Sequence, residues 1–292
     1  MISVDDFHSM LERFPKGNPF RYALLIGFYT GLRISEVFAL TWDDIDFQEK
    51  TLNVNKLVYK RIYSLNENDI KTLSQKINTN QNQYNVNAKN NISAKEKQNS
   101  KQHIKSKNQT LENTTTIETS AWYFGDTKTS SSVRKIKIGD TLLSELNEYR
   151  KMQLINQMHL GEHYIQICKQ EEIDEKGDII YRLTELESSM SDTLPLANLI
   201  MRKPNGKYSS TESFKYASRV IHYELGLQFN FHSLRHTHAT KLIENGVSPK
   251  AVQSRLGHEN IKTTLQTYVH STDNMEQYAV DIFEKIATQK AN

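Results

Sequence analysis

The stretch that decides the fold is Phe231–His270, FHSLRHTHATKLIENGVSPKAVQSRLGHENIKTTLQTYVH. His232 and Arg235 stand three residues apart, a spacing that places both side chains on one face of a helix. His258 stands where a helix is expected to end, and Tyr268 comes one short segment later. Two histidines, an arginine and a tyrosine at these spacings suit chemistry at a phosphate group.

Composition narrows the class of protein only partly. The 292 residues, 37% of them hydrophobic, suffice for a sizeable core, while a mean hydropathy of −0.65 predicts that part of the chain stays outside it. A net charge of +3 is compatible with nucleic-acid binding but is shared by many unrelated enzymes. No apolar run approaches a membrane span, and MISVDDFH shows no secretory signal. The single cysteine, Cys168, excludes an intramolecular disulfide framework and favours a cytoplasmic location.

Sequence signals for helices near the N-terminus indicate two further charged residues of interest, Arg33 and Glu36. Ser3 with a carboxylate three residues later begins a first helix, and residues 19–29 form a second that Gly31 ends. In the following LRISEVFALTW the apolar residues keep helical spacing, and Arg33 and Glu36 share another face. By spacing alone, an exposed ion pair worth a few tenths of a kcal/mol explains Arg33 and Glu36 better than a role in a site.

Three segments predict a small antiparallel sheet: two with alternating hydrophobicity and, between them, the β-prone run Trp122, Tyr123 and Phe124. Residues 51–58 alternate with a period of two, and so do residues 134–138, whose lysines form a basic edge that faces solvent. Between them, residues 64–120 are dominated by Asn, Gln, Lys, Ser and Thr without an apolar period. Such a segment cannot bury enough surface to offset its chain entropy, so we interpret it as a disordered insertion in a single domain spanning residues 1–292.

The rest of the chain is mostly helical in pattern. A long helix is predicted over residues 140–158, a hairpin turn at Lys176–Gly177, and a further helix from residue 211 to about Gly226. Gly246 and Gly257 end two helices inside the stretch quoted above, and a last amphipathic helix covers residues 275–289.

Attack on a phosphodiester by a side chain requires groups that stabilise charge, a nucleophile and a proton donor. Negative charge grows on the phosphate oxygens in the transition state, and two guanidiniums, which are planar, always charged and bidentate, are well suited to hold it. A nucleophile must attack in line with the leaving oxygen, which then needs a proton. Without metal ligands, side chains must supply each of these groups. The chain carries such a set: Arg33, Lys128, His232, Arg235, His258 and Tyr268.

The sequence around these residues resembles the tyrosine recombinase (phage integrase) family. Four motifs, TGLRISEVFALTW, TKTSSSVRKIKI, FHSLRHTHAT and LGHENIKTTLQTY, occur in the family's order. Within the family, the chain is most similar to integrases of conjugative transposons. The resemblance implies an α+β, mainly α-helical catalytic domain with a small three-stranded antiparallel sheet. It also implies a site-specific DNA recombinase that integrates or excises a mobile element.

The resemblance assigns the central roles in cleavage. Arg33 and Arg235 would bind the non-bridging oxygens of the scissile phosphate. Tyr268 would attack phosphorus to give a 3′-phosphotyrosyl enzyme and a free 5′-hydroxyl, and Lys128 would protonate the leaving 5′-oxygen. Because the phosphotyrosine keeps the bond energy for rejoining, the resemblance implies neither a metal nor another cofactor.

Two histidines and a carboxylate complete the implied site. His232 would act as general base or hydrogen-bond partner towards Tyr268, and His258 would donate to a phosphate oxygen. Glu36, one helical turn from Arg33, would orient the site without touching the phosphate.

His236 and His238 extend His232 into the pattern HxxxHxH. A histidine pair at i and i+4 is able to hold a metal ion, but the glutamate of an HExxH site is missing and no cysteine accompanies the pair. We therefore expect His236 to support the catalytic pocket and His238 to pack or hydrogen-bond internally.

Basic residues of the second predicted strand are candidates for contacts with DNA. Arg134, Lys135 and Lys137 would bind backbone phosphates, which positions DNA without reading its sequence. A solvated surface role explains each of them equally well. The three residues are also nearby rivals for the role given to Lys128.

The resemblance also implies partners. These are double-stranded DNA and a homo-oligomer, a tetramer in the synaptic complex, with the helix of residues 275–289 exchanged between protomers. Full integrases of this kind carry DNA-binding domains ahead of the catalytic domain, whereas here the first catalytic helix starts near Met1. We therefore expect a catalytic domain alone, with weak, salt-sensitive DNA binding and poor complete recombination. Two alternatives are type IB topoisomerase-like DNA relaxation and a catalytically silent DNA-binding regulator.

Overall fold

The computed structural model describes residues 1–65, 117–126 and 132–260, together with Val280. The chain divides into two compact units, one formed by Met1–Tyr59 with Trp122–Asn292 and the other by Lys60–Ala121. The second unit nearly coincides with the segment that the sequence marks as an insertion. Residues 64–65 and 117–120, which the prediction includes in the insertion, are strand. Residues 66–116 lie outside the described part of the chain.

Seven α-helices lie within the described residues, and their ends follow the capping signals of the sequence. The Ser3 side chain accepts from the backbone NH of Asp6, and Ser210 caps its helix in the same way through Ser213. Their bounds are α1 (Val4–Arg13), α2 (Pro19–Thr30), α3 (Ile34–Val37), α4 (Asp140–Leu160), α5 (Thr211–Leu225), α6 (Phe231–Glu244) and α7 (Pro249–Leu256). Short 3-10 turns cover Trp42–Asp44, Gly161–His163 and Ser188–Thr193.

Helix α2 forms the centre of the core because its residues are apolar on nearly every side. Tyr22, Leu24 and Ile26 are fully buried, and the helix packs against α6. At Gly27 the two helices approach so closely that an added Cβ would lie 2.7 Å from the Phe231 ring. A residue without a side chain is needed for this contact, which brings α6 alongside the end of α2.

The predicted three-stranded antiparallel sheet is present, in the order β1 (Ile45–Asp46), β2 (Thr51–Val54) and β5 (Arg134–Lys137). Leu52 pairs with Ile136, and both side chains are buried. Because successive side chains of a strand point to opposite faces, Arg134 shares the inner face of β5 with Ile136. Lys135 and Lys137 are exposed on the other face.

A second sheet, of four strands, was not anticipated from the sequence, and it contains Trp122, Tyr123 and Phe124, which were predicted to lie in the small sheet. Its order is β3 (Lys56–Leu65), β4 (Ile117–Asp126), β7 (Ile179–Glu187) and β6 (Ile165–Ile173). Strands β6 and β7 form the hairpin predicted at Lys176–Gly177, paired antiparallel over their full lengths. The sequence indicates only the turn of this hairpin and not the length of its strands. Exposed polar side chains on both strands obscure the apolar pattern that would have shown the length.

Candidate active site

Arg33 lies at the beginning of α3, where its backbone and its side chain bind the same carboxylate. The backbone NH donates to Glu36 Oε2 at 2.9 Å, and Nη1 donates to Oε1 at 2.8 Å. Nη2 donates to the carbonyl of Gly257 at 3.4 Å. The side chain of Arg33 is nevertheless 39% exposed. The guanidinium is therefore held along its inner edge and stays accessible to a ligand.

Glu36 is buried between two arginines. Its side chain is 2% exposed and also accepts from Arg134, at 3.2 Å from Nη1 and 3.0 Å from Nη2. Burial raises the pKa of this carboxyl, but the hydrogen bonds and charges of Arg134 and Arg33 outweigh burial and hold the pKa below its ordinary value. Glu36 is therefore a buried anion, and the exposed ion pair that spacing alone favoured is not what the structure contains.

Arg235 reaches the same place from α6. The residue is 2% exposed. Its Nη1 donates to the carbonyl of Gly31 at 2.7 Å and its Nη2 donates to the carbonyl of Leu256 at 2.8 Å. The C-terminal ends of α2 and α7 thus hold this guanidinium from two sides, and carbonyls at helix ends are free to do so because they lack intrahelical donors.

His258 and His232 lie in the field of these arginines. Burial, followed by the charges of Arg235 and Arg33, lowers the pKa of His258 to about 4. Burial, followed by His236, Arg235 and Arg33, also lowers the pKa of His232. Since both shifts are downward from 6.5, both imidazoles are neutral at pH 7 and have one nitrogen that can accept a proton. Four residues of the predicted set therefore share one site.

His236 and His238, which the sequence pattern HxxxHxH does not distinguish, lie on different faces of helix α6. The rings of His232 and His236 meet edge to face, with centroids 4.5 Å apart. His238 lies on another face, with Nδ1 2.9 Å from the carbonyl of Phe28 and Nε2 3.0 Å from Nε of Arg255. Because a carbonyl only accepts and a guanidinium only donates, Nδ1 carries the proton and His238 is neutral. Burial, followed by Arg255, lowers the pKa of His238 to about 4.

Arg134, which the sequence made a candidate for contact with DNA, is buried in the structure. Its side chain is 7% exposed, and in addition to binding the carboxylate described above it donates from Nε to the carbonyl of Arg255 at 2.8 Å. Period-two alternation explains the difference, since Arg134 lies on the face of buried Ile136. Lys135 and Lys137 lie on the opposite, exposed face, so a phosphate contact by either stays a prediction.

Arg255 is the residue that the sequence analysis missed. Its guanidinium donates to three separate segments: to His238 from Nε, to the carbonyl of Lys137 from Nη1 at 2.9 Å, and to the carbonyl of Tyr29 from Nη2 at 3.2 Å. The only sequence signal is its place in the last turn of a helix. Any arginine is favourable there because of the helix dipole, so the signal does not single out this one.

Tyr268 and Lys128 lie outside the described residues, so the roles given to them rest on the sequence motifs. The predicted exchanged helix of residues 275–289 also lies outside them, except for Val280, which is helical and exposed. Within the described part of the chain, no helix is long and apolar enough to cross a membrane. The same residues contain no group of three His, Cys, Asp or Glu side chains arranged to hold a metal ion.

These groups make a basic, partly open site for an anionic ligand. Two guanidiniums and two neutral imidazoles come together from three segments, around residues 33, 232–235 and 256–258. A buried carboxylate and helix-end carbonyls fix the guanidiniums in place. An arrangement of this kind can hold a phosphate-like group between paired arginines.

The chain belongs to the phage integrase family, whose sequence model matches residues 3–137 and 149–275. The matched segments include every residue of the predicted catalytic set, Tyr268 and Lys128 among them. Membership confirms the family and the α+β catalytic fold that the sequence motifs indicate.

Curated proteins similar to this chain are longer than it is. A XerC-like tyrosine recombinase of Caldanaerobacter subterraneus subsp. tengcongensis is 27% identical over 266 residues, which are 91% of this chain and 49% of that protein. Transposase A from transposon Tn554 of Staphylococcus aureus is 33% identical over 151 residues, 47% of this chain and 41% of that protein. The chain thus spans about half the length of the curated relatives it matches.

Among solved structures, the integrase of transposon Tn1549 in complex with transposon right end DNA is similar in fold. The TM-score is 0.52 at 19% sequence identity, covering 96% of this chain and 64% of that chain. At this level of identity the likeness concerns the fold, and it agrees with the mainly helical α+β architecture described above.

Proposed function

We propose that the chain is the catalytic part of a site-specific DNA recombinase, an integrase that inserts or excises a mobile element. The observation that carries the proposal is the convergence of Arg33 and Arg235 on residues 256–257, with His232 and His258 beside them. Family membership favours cleavage and rejoining of DNA strands, and the transposase of Tn554 among the relatives favours a mobile element.

Strand cleavage in the proposed reaction is a transesterification. The hydroxyl oxygen of Tyr268 attacks phosphorus, and the bond between phosphorus and the 5′-oxygen breaks as the new ester forms. His232 takes the tyrosine proton, which its neutral imidazole is able to do. Lys128 gives a proton to the departing 5′-oxygen. A 3′-phosphotyrosyl enzyme and a free 5′-hydroxyl result.

The remaining groups stabilise the charge that develops on the phosphate. Arg33 and Arg235 bind the non-bridging oxygens, and His258 donates its one N–H to an oxygen. Glu36 keeps the Arg33 guanidinium in orientation through the bond of 2.8 Å. Rejoining is the reverse reaction, with the 5′-hydroxyl of another strand as nucleophile, so no further energy source is needed.

The proposal includes the partners of the reaction. Double-stranded DNA is the substrate, which is favoured by the DNA complex of the solved transposon integrase. Exposed Lys135 and Lys137 supply charge for contacts with the DNA backbone. A tetramer, joined by exchange of residues 275–289, would carry out strand exchange, and the single cysteine is compatible with a cytoplasmic location.

Joining of two duplexes is the experiment that tests the proposal. Duplexes that become covalently attached to the chain are first selected from a random-sequence pool. Two such duplexes with different labels are then incubated with the chain in EDTA, and four-way junctions between them are measured. A supercoiled plasmid carrying the same site is treated in parallel. Junctions that contain both labels are expected. Relaxation of the plasmid with no junction at any protein concentration would contradict recombination in favour of topoisomerase-like activity, and failure to select any attached DNA would contradict both.

A further inference from the structure

Residues 255–258 form the common support of the candidate site. Arg33 donates to the carbonyl of Gly257, and Arg235 donates to the carbonyl of Leu256. Arg134 donates to the carbonyl of Arg255, and His258 follows at once in the chain. A displacement of this short segment would therefore move the partners of three arginines and the position of an imidazole together.

The side chain of Arg255 ties that segment to the rest of the unit. Each of its three nitrogens donates to a different element: α6 through His238, β5 through the carbonyl of Lys137, and the end of α2 through the carbonyl of Tyr29. None of these three partners is a carboxylate. The guanidinium, which is always charged in proteins, acts as a three-way connection, a geometry that the single ammonium of a lysine does not reproduce.

His238 extends the connection to the body of the fold. It passes a hydrogen bond from Arg255 on to the carbonyl of Phe28, with its Nδ1 donating at 2.9 Å and its Nε2 accepting at 3.0 Å. A neutral imidazole with this tautomer is required, and its lowered pKa keeps it in that form at neutral pH. The hydrogen-bond series from Arg255 through His238 to the carbonyl of Phe28 is therefore intact at neutral pH.

We propose that Arg255, held by His238, is a positioning residue that sets the placement of residues 256–258 and thereby the geometry of Arg33, Arg235 and His258 around a phosphate. This inference rests on the proposed function, because it assigns Arg255 an effect on the rate of strand cleavage. Misplacement of reacting groups by about 1 Å costs on the order of 100-fold in rate. Arg255 touches no phosphate in this account, so its loss affects the chemical step more than the binding of DNA.

The test compares Arg255→Met and Arg255→Lys with the wild-type chain and with Arg13→Met. Arg13 makes an exposed ion pair with Glu224 away from the site, so its variant controls for loss of one arginine. The rate of covalent adduct formation is measured at saturating nicked DNA, and DNA affinity is measured separately. Both Arg255 variants are expected to react roughly 100-fold more slowly with nearly unchanged affinity. Arg13→Met is expected to behave as wild type. A wild-type rate in Arg255→Lys would overturn the proposal, because charge without the three-way connection would then suffice.

A second readout does not depend on catalysis. The chain is labelled with ¹³C-histidine, and the His258 signal is titrated in the absence of DNA. The groups that depress the pKa of His258 to about 4, after burial, are Arg235, Arg33, His232 and Arg134. Displacement of residues 256–258 in Arg255→Met is expected to raise this pKa towards 6.5. An unchanged titration in a folded variant would overturn the proposal.

Substitution of His238 separates connection from folding. His238→Gln keeps a donor and an acceptor, whereas His238→Phe keeps neither. With both variants measured in the folded state, the glutamine variant is expected to retain more of the cleavage rate and more of the low His258 pKa than the phenylalanine variant. Equal values for both would contradict the role of the hydrogen bonds. If wild type forms no adduct, the proposed function fails, while the titration still decides whether Arg255 positions His258.

Discussion

The side chains of the site are held in position because they share hydrogen-bond partners. The carboxylate of Glu36 receives donors from Arg33 and Arg134, so one buried anion aligns two guanidiniums. Removing one partner of a buried ion pair leaves an uncompensated charge, which costs more than the pair itself contributes to stability. At this scale, charge balance decides the stability of the site.

Glu36→Gln is therefore expected to lower the free energy of unfolding by about 3–5 kcal/mol, since two arginines lose their anionic partner in a buried position. Urea denaturation at pH 7 measures the change. Glu224→Gln is the matched control, because Glu224 pairs with Arg13 on the exposed surface and its loss should leave the midpoint nearly unchanged. Equal midpoints for the two variants would show that the buried carboxylate does not support the site as described.

His238 gives stability a defined pH dependence. Its pKa is about 4 in the folded chain and 6.5 in a free histidine, so the unfolded chain binds more protons between these values. The contribution of neutral His238 to the free energy of unfolding is therefore fully present above pH 6.5. It is lost as pH falls towards 4, by up to about 3 kcal/mol. His238→Gln has no such proton, so its unfolding midpoint should fall less over this range. Parallel pH profiles for the two proteins would contradict the buried neutral imidazole.

The limits of sequence reasoning at the residue scale are shown by Arg134 and Arg255. The motifs place Arg33 and Arg235 in one set because their spacing from neighbouring signals is distinctive, and the structure brings both guanidiniums to residues 256–257. Arg134 was grouped with two exposed lysines by composition, although strand alternation would have separated it from them. Arg255 acts through backbone carbonyls of distant segments, which no pattern of side-chain types in the sequence reports.

At the scale of elements, the site is built where helices end. The carbonyl of Gly31, just after α2, binds Arg235, and the carbonyl of Gly257, just after α7, binds Arg33. Both glycines adopt the left-handed conformation that ends their helices. Capping signals predicted these ends from the sequence, because capping is local. The four-stranded sheet was missed because its strands β3, β4, β7 and β6 are brought together from distant parts of the chain.

Substitution of Gly31 tests the importance of such an end. In Gly31→Ala the left-handed backbone, at φ 68°, costs roughly 1–2 kcal/mol. The new Cβ would also lie 2.6 Å from Leu256 and 2.9 Å from the His238 ring, so the loss should be larger and the cleavage rate should fall. Gly226→Ala is the matched control, at φ 69° with nothing within 4 Å of its Cβ. Equal thermal shifts for both variants would contradict close packing at the end of α2.

At the scale of the whole molecule, residues far apart in sequence depend on one another. Arg33 and Gly257 are 224 positions apart, and both lie in the unit formed by Met1–Tyr59 and Trp122–Asn292. The stretch Phe231–His270 therefore supplies only part of the site, together with the N-terminal helices and β5. The sequence motifs predicted this combination because they occur in the family's order, while the contacts themselves could be seen only in the fold.

The central claim, cleavage through a phosphotyrosine, is tested most directly with a nicked suicide substrate. The wild-type chain is expected to form a covalent protein–DNA adduct in EDTA, and peptide mapping should place the DNA 3′-phosphate on Tyr268. Tyr268→Phe, which removes only the hydroxyl, should form no adduct while still binding the same DNA. Adduct formation by Tyr268→Phe, or attachment of the DNA to another residue in the wild-type chain, would contradict the account.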